Sequence, residues 1–155
     1  QGDEPALNPS VISKVVARNQ AFPDEVVCAM AKLSPDEDPA SPNIPKVVTA
    51  EDGRLIYMSR LAVPGTKNGF HNGPYYKQVC VYAFNREQLD AFVSLNRKSR
   101  VEALEDIELL RTFDLNIPVR MLEVEGGSYT VDVPEDVPRV EAVLKKIYQL
   151  TPQPV

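Results

Sequence analysis

The chain has 155 residues, of which 43% are hydrophobic and 25% charged, and a formal net charge of −5. These values are typical of one soluble globular domain with a sizeable core. The negative charge and the lack of a basic run exclude a broad nucleic-acid-binding surface. No apolar stretch approaches the roughly 20 residues of a membrane-spanning helix. We therefore predict a single domain over residues 1–155, with neither nucleic acid nor a membrane as partner.

The cysteines, Cys28 and Cys80, lie in apolar runs, where a thiol acts as a small buried hydrophobe. We predict free thiols and a reducing cytoplasm rather than a disulfide. The sequence begins at Gln1, without an initiator Met and inside what resembles a turn. A processed chain, a split gene product or an engineered boundary would each explain this start.

Apolar spacing predicts a first helix over residues 8–22, capped by Asn8 with Pro9 at its first position. The β-branched run 26–33 predicts a strand buried on both faces, and the proline-rich segment 34–45 predicts a surface loop. The predicted buried stripe of the helix consists of Val11, Ile12, Val15 and Val16.

Two short apolar runs, 46–49 and 54–58, flank an Asp52-Gly53 pair, which predicts a β-hairpin. Residues 63–76 hold too many glycines and prolines for a regular element. This loop carries the only histidine, His71, which we interpret as a solvated loop residue rather than a metal ligand.

The remaining pattern predicts strands over residues 77–84 and 119–124 and helices over 86–96, 99–113 and from Pro134 to just before Thr151, with a turn at Gly126-Gly127. The acids Glu102, Glu105 and Asp106 are interpreted as a solvated helix face. The predicted inward side chains are Leu89, Phe92 and Val93 in the helix 86–96. In the helix 99–113 they are Val101, Leu104, Ile107, Leu110 and Phe113.

Strands that alternate with helices predict an α/β fold with a parallel or mixed sheet. Asp3 and Asp132 each stand at a corner shortly before a proline that starts a helix. Ligands of open α/β sheets collect at the carboxyl ends of the strands, so these acids could share one Mg²⁺ ion. Spacing alone favours the simpler interpretation of two helix N-terminal acids.

Four ordered blocks resemble the CMP-Kdo synthetases, the 3-deoxy-manno-octulosonate cytidylyltransferases, over nearly the whole chain. The resemblance implies a three-layer Rossmann-like nucleotidyltransferase fold with a mixed sheet. It also implies a cytoplasmic, Mg²⁺-dependent enzyme that couples CTP with a 3-deoxy sugar acid, releasing pyrophosphate, for lipopolysaccharide or capsule synthesis. The blocks are Gln1-Gly2-Asp3-Glu4-Pro5, residues 42–60 with Pro64 soon after, residues 101–111 and residues 131–136.

By this resemblance, Asp3 and Asp132 are the expected catalytic metal ligands, and a homodimer is expected to pair through residues 55–84. Arg60 suits a sugar carboxylate because its planar fork can bind both oxygens; without the resemblance, a strand-end surface ion pair is the simpler interpretation. The expected substrate-binding residues are Gln1, Arg60, Gln78, Tyr82 and Glu108.

Three departures from the family pattern limit these expectations. The family's N-terminal Arg/Ser/Lys-rich loop, which grips CTP, is not present, so we expect this chain alone to be inactive until that segment is supplied. Gln78 stands where the family usually has His, and Leu109 where it usually has Gln. A changed hydrogen-bonding position alters which hydroxyl is tolerated, so we expect a different or modified 3-deoxy sugar acid.

Two other interpretations stay open. The chain could be a non-catalytic dimerisation or binding module, which the two substitutions and the missing loop favour. An acylneuraminate-type cytidylyltransferase is a rival among enzymes, although the Gly2-Asp3-Glu4-Pro5 block fits the Kdo branch better.

Overall fold

The computed structural model describes residues 4–70, 72–125, 129–131 and 133–150. The strands are β1 (Val26–Lys32), β2 (Lys46–Thr49), β3 (Leu55–Ser59), β4 (Gly65–Thr66), β5 (Gly69–Phe70), β6 (Tyr76–Ala83) and β7 (Val119–Glu123). The helices are α1 (Pro9–Ala21), α2 (Arg86–Ser94), α3 (Arg100–Glu105), α4 (Arg111–Asp114) and α5 (Val137–Leu150), with short 3₁₀ turns at Glu108–Leu110 and Pro134–Asp136.

Five strands form one mixed sheet in the order β3-β2-β6-β1-β7. The β1–β7 pair is parallel and the other neighbours are antiparallel. The expected α/β fold with a mixed sheet is therefore confirmed. None of the helices in the described part of the chain has the length and apolar character that crossing a bilayer needs.

The sheet is covered on both faces, which gives three layers. On one face Val11 and Val15 of α1 pack against Val27 and Ala29 of β1. On the other face the segment around Leu110 packs against residues that include Cys28, Val47, Met58 and Met121. Strand β1 lies between these two cores, and six of its seven residues are buried, as the continuous apolar run predicted.

The first helix is capped as predicted, since Asn8 Oδ1 accepts a hydrogen bond from Ser10 N at 2.9 Å. Val11 and Val15 are buried, but Ile12 and Val16 are 47% and 43% exposed. Only a narrow stripe of α1 faces the sheet, so half of the predicted stripe was wrong.

Helix α2 shows the same error. Leu89 and Val93 are exposed, and the buried residue is Gln88. Its side chain accepts from Asn85 N at 2.8 Å and donates to the Pro23 carbonyl at 2.9 Å. These partners satisfy the buried amide, which explains how a polar residue takes an inward position.

The predicted helix 99–113 is broken at Asp106, which adopts a left-handed conformation with φ of 52°. After the break, Ile107 and Leu110 are buried as predicted, but Leu104 before it is 77% exposed. The break also lets Arg111 fold back onto α3 and reach Glu102.

The predicted solvated acidic face was therefore wrong for two of its three residues. Glu102 is 1% exposed; its Oε2 accepts from Arg111 Nε at 2.8 Å and from Ser99 N at 2.9 Å. Glu105 is half-buried against β3. Asp106 is exposed, as predicted. The hydrogen bond from Arg111 holds the pKa of Glu102 below its usual value.

The hairpin at Asp52-Gly53 is confirmed, and it reaches across to the opposite edge strand. Gly53 has φ of +85°, and an added Cβ would lie 3.1 Å from the Met121 carbonyl oxygen. Met121 N donates to Gly53 O at 2.8 Å, and Arg120 pairs with Asp52 at 3.3 Å. Glycine is favoured here because the positive φ would strain a residue with a side chain and the close approach leaves little room for one.

The loop 63–76 departs from the prediction of no regular element, because it contains the small β4–β5 hairpin. Two short segments with a tight turn suffice for this pair. His71, Gly126 and Gly127 lie outside the described residues.

We predict that Glu102→Gln lowers the free energy of unfolding by about 3 kcal/mol at neutral pH, since breaking a buried ion pair leaves Arg111 without its counter-charge. The folded-state pKa of Glu102 lies below its usual value of 4.5. The pair's contribution is thus present above that pH and is lost as pH falls below it. Urea unfolding should therefore show a stability difference between wild type and variant that shrinks on acidification. The exposed Glu51→Gln is the control, and a pH-independent difference would contradict the prediction.

Candidate functional site

A polar cleft of about 230 Å³ lies at one end of the sheet. It is built from the segment before α1, the loop after β1, the end of β3, strand β6 and the break after α3. Its lining residues are Glu4, Glu37, Asn43, Ile44, Pro45, Arg60, Lys77, Gln78, Cys80, Tyr82, Asp106, Ile107, Glu108 and Thr130.

The cleft brings together four residues that the sequence singled out, namely Arg60, Gln78, Tyr82 and Glu108. The other three predicted site residues, Gln1, Asp3 and Asp132, lie outside the described residues. Glu4, next to Asp3 in the chain, and Thr130, two residues before Asp132, both line the cleft. Described neighbours of both acids in the chain thus line the same cleft.

Arg60 is a structural clamp on the cleft wall rather than a member of a surface ion pair. Its Nε donates to the Glu105 carbonyl at 2.7 Å, Nη1 to that of Pro42 at 2.8 Å and Nη2 to that of Asp106 at 2.9 Å. Arginine has five N–H donors. Three of them bind these carbonyls, and the other two have no acceptor among the residues that the structure describes.

Lys46 binds the main chain of Arg60 and was not predicted as a residue of the site. It is fully buried, and its Nζ donates to the carbonyls of Ser41 and Arg60, each at 2.6 Å. Burial, and then the nearby Arg60 charge, lower the pKa of Lys46. The one sequence feature that could have indicated its burial is its position at the start of a buried strand. A lysine at such a position is usually interpreted as a solvated strand end.

Glu105 was also missed as a site-building residue. Its Oε1 accepts from Tyr57 Oη at 3.1 Å and Ser59 Oγ at 2.9 Å, and its Oε2 accepts from Arg60 N at 3.0 Å. Burial opposes the charged form, but these hydrogen bonds outweigh it and lower the pKa of Glu105. An ionised carboxylate therefore fixes the end of β3 against α3.

Strand β6 carries a bulge that shapes the cleft floor. Cys28 pairs with Tyr82 while Ala29 pairs with Val79, so two residues of β6, Cys80 and Val81, lie in the register shift. Such a bulge re-aims the side chains around it.

Gln78 and Tyr82, on either side of the bulge, are joined by a hydrogen bond from Gln78 Nε2 to Tyr82 Oη at 2.6 Å. Burial raises the pKa of Tyr82, so its phenol stays protonated.

The cleft is rich in acids. Four carboxylates and two cations line it. Lys77 pairs with Glu37, Arg60 binds carbonyls, and Asp106 pairs with Lys98 from outside the cleft. A multiply charged anion would bind poorly here without an added cation. Within the described residues, no three His, Cys, Asp or Glu side chains are grouped as a metal site.

A second, mostly apolar cavity of about 260 Å³ adjoins the polar cleft and shares Tyr82 and Glu108 with it. Leu109 is 2% exposed and lies against this second cavity, so it is not part of the polar cleft. Gln78 and Leu109 are the two departures predicted to alter substrate recognition, and only Gln78 lines the polar cleft. The remaining lining residues of the second cavity are Phe84, Leu89 and Phe92.

A polar cleft at one end of a mixed three-layer α/β sheet lies where open α/β sheets commonly bind their ligands. The sequence model of the family described as "Cytidylyltransferase" matches residues 1–119. The chain belongs to this cytidylyltransferase family.

Similar proteins extend this result. A 3-deoxy-manno-octulosonate cytidylyltransferase of Acidobacterium capsulatum is 35% identical over 144 residues, 93% of this chain and 58% of that protein. A mitochondrial enzyme of the same name from Arabidopsis thaliana is 32% identical over 149 residues, 94% of this chain and 51% of that protein.

A solved structure of CMP:2-keto-3-deoxy-manno-octonic acid synthetase complexed with CTP superposes with a TM-score of 0.82 at 29% identity. The match covers 95% of this chain and 60% of that one. The likeness confirms the expected nucleotidyltransferase fold. The chain thus spans between about half and three fifths of the length of these proteins.

We predict that Arg60→Lys lowers the free energy of unfolding by about 2 kcal/mol, because a lysine reaches fewer of the three carbonyls and each lost hydrogen bond costs roughly 1 kcal/mol. Urea unfolding at neutral pH measures this. Arg86→Lys is the matched control, since Arg86 is a highly exposed residue paired with Asp90. An equal, small effect of both changes would show that the hydrogen bonds of Arg60 contribute nothing to the free energy of unfolding.

Proposed function

We propose that this chain forms the sugar-acid site of a cytidylyltransferase that couples CTP with a 3-deoxy sugar acid of the 3-deoxy-manno-octulosonate type. The products are the CMP-sugar and pyrophosphate, which would serve lipopolysaccharide or capsule synthesis in the cytoplasm. The observation that carries the proposal is the convergence of Arg60, Gln78, Tyr82 and Glu108, from three separate segments, on one polar cleft.

In this reaction the anomeric hydroxyl of the sugar acid attacks the α-phosphorus of CTP. A new P–O bond forms, the bond to the β-phosphate breaks, pyrophosphate leaves and the hydroxyl proton goes to solvent. The two unused N–H donors of Arg60 would hold the sugar carboxylate. The carboxylate of Glu108 would accept from sugar hydroxyls, and Gln78 with Tyr82 would orient the ring. Positioning of this kind supplies much of the rate increase of group-transfer enzymes.

Mg²⁺ is the proposed cofactor, with Asp3 and Asp132 as its ligands. The surplus of carboxylates over cations in the cleft fits a hard divalent cation that carries phosphate oxygens with it. When bound, Mg²⁺ would offset phosphate charge and lower the pKa of the attacking hydroxyl.

A non-catalytic binding module is the second candidate. The buried, apolar environment of Leu109, at a position where the resemblance implies an amide, favours it. The two proposals differ in one measurable respect, because only an enzyme releases pyrophosphate.

The test measures pyrophosphate release from CTP, Mg²⁺ and a panel of 3-deoxy sugar acids. The chain is used alone and combined with the segment of the Acidobacterium capsulatum relative that the alignment leaves uncovered. We expect release only in the combined form, and preference for a modified acid would support an altered substrate. CTP binding should need Mg²⁺ and the added segment. Sugar-acid binding without any pyrophosphate release would favour the binding module.

We predict that Asp132→Asn lowers turnover of the combined form by about 10²- to 10³-fold, since it removes a charge that would hold the metal against the transition-state phosphate. Folding, measured by urea unfolding, should be nearly unchanged because the side chain keeps its shape. Asp114→Asn, at an exposed position, is the matched control. Wild-type turnover of Asp132→Asn would show that the metal assignment is wrong.

A homodimer that pairs through residues 55–84 is part of the proposal. Leu61 and Phe70 in this region are 75% and 63% exposed. They lie together at a shallow cavity beside the β4–β5 hairpin, and large exposed apolar groups of this kind mark interaction surfaces.

We predict that Leu61→Asp and Phe70→Asp each raise the dimer dissociation constant at least about tenfold, because each places a charge in an apolar contact. Sedimentation equilibrium measures the change. Leu104→Asp is the control, since Leu104 is 77% exposed but lies on α3, outside the region. A monomeric wild-type chain, or equal dimerisation by all variants, would contradict the prediction.

A further inference from the structure

The apolar cavity beside the polar cleft has aromatic walls that are held in place. The rings of Phe84 and Phe92 meet edge to face, with 5.5 Å between their centroids. The guanidinium of Arg111, which is bound to Glu102, lies 4.4 Å from the centre of the Phe92 ring. The cavity of about 260 Å³ has room for several non-hydrogen atoms. Walls of this kind form a binding site before a ligand arrives.

Two residues stand at the border between this cavity and the polar cleft, since Tyr82 and Glu108 line both. The hydroxyl of Tyr82 binds Gln78, which lines the polar cleft. Glu108 is exposed at the border, and Leu89, on the wall of the apolar cavity, is 45% exposed. The apolar cavity is therefore open to solvent and lies directly beside the polar cleft.

Leu109 makes the wall next to this border apolar. It is 2% exposed and lines the apolar cavity, at a position where the resemblance implies an amide. Its neighbour Glu108 reaches both cavities, and consecutive Cα atoms are only about 3.8 Å apart. A hydroxyl group would find few partners against such a wall, and the charge of Glu108 disfavours an anion. A neutral apolar group is favoured, because it displaces loosely held water.

We propose that the apolar cavity receives a small, neutral, apolar substituent of the sugar acid that occupies the polar cleft. The inference rests on the proposed function and narrows its substrate to acids in which one hydroxyl carries an alkyl or short acyl group. The polar cleft binds the carboxylate and the hydroxyls that all such acids share, and the apolar cavity selects the substituted acid. Burial of two carbon atoms corresponds to about a tenfold gain in affinity.

Leu89 offers a test that leaves the core intact, because it is half-exposed and lines the apolar cavity but not the polar cleft. Leu89→Asn makes part of the wall polar. Leu104→Asn is the matched control, since Leu104 is 77% exposed and lines neither cavity. Leu109→Gln is the second variant, which introduces the amide that the resemblance implies, and urea unfolding checks that it folds.

The experiment measures binding of 3-deoxy-manno-octulosonate, and of its 4-, 5-, 7- and 8-O-ethyl ethers in turn, by calorimetry with Mg²⁺ present. The chain is used alone and combined with the segment of the Acidobacterium capsulatum relative that the alignment leaves uncovered. We expect wild type and Leu104→Asn to bind one ether about tenfold more tightly than the unsubstituted acid. Leu89→Asn and Leu109→Gln should lose most of this gain without binding the unsubstituted acid more weakly.

A gain that either folded variant keeps would overturn the inference, because the ethyl group would then lie elsewhere. So would a gain that the chain alone shows and the combined form loses, since the added segment would then fill the cavity. If Leu109→Gln does not fold, Leu89→Asn decides alone. If wild type binds the unsubstituted acid and no ether more tightly, only this inference fails. If wild type binds none of the acids, the proposed function fails with it.

Discussion

Two cations whose partners are main-chain carbonyls hold the cleft together. Lys46 is fully buried and donates to Ser41 and Arg60, while the Arg60 guanidinium donates to Pro42, Glu105 and Asp106. A charge removed from water is tolerated only when its donors are satisfied. Each of these bonds therefore fixes the position of a loop or a helix end as well as a charge. The loop after β1, the end of β3 and the end of α3 are tied to one another in this way.

This arrangement explains why the site can be rigid although its walls are loops. Carbonyl groups at a broken helix end have no partner inside the helix, and the left-handed turn at Asp106 exposes those of Glu105 and Asp106 to Arg60. The same break sends Arg111 back to Glu102. One irregular residue thus creates both a clamp for the cleft and a buried ion pair for the core. These bonds hold the walls of the cleft in place, and its lining contains more carboxylates than cations.

Much of the fold could be predicted because several patterns have one meaning. A continuous β-branched run such as β1 can be satisfied only between two layers, and Asp52-Gly53 matches a tight turn. The helical stripes failed because periodicity gives the direction of a face but not its width, so Ile12 and Leu89 stay exposed. Glu102 was wrongly predicted to be exposed, because its partner Arg111 follows a break in the helix that no local sequence pattern indicates. At the site, the ordered blocks indicated Arg60 and Glu108, and the wider family resemblance implied Gln78 and Tyr82; all four line the cleft. The burial of Lys46 and Glu4 was not predicted, since it depends on segments distant in sequence.

The contact between the hairpin turn and β7 has a consequence for how copies of the chain can associate. Open sheet edges offer unpaired N–H and C=O groups that invite another strand. The β7 edge is closed at its middle, because Met121 N already donates to Gly53 O and Arg54 forms a bridge with Arg120. A continuous intermolecular sheet cannot grow from this edge unless the hairpin is first displaced. The turn therefore protects the β7 edge against strand-to-strand aggregation.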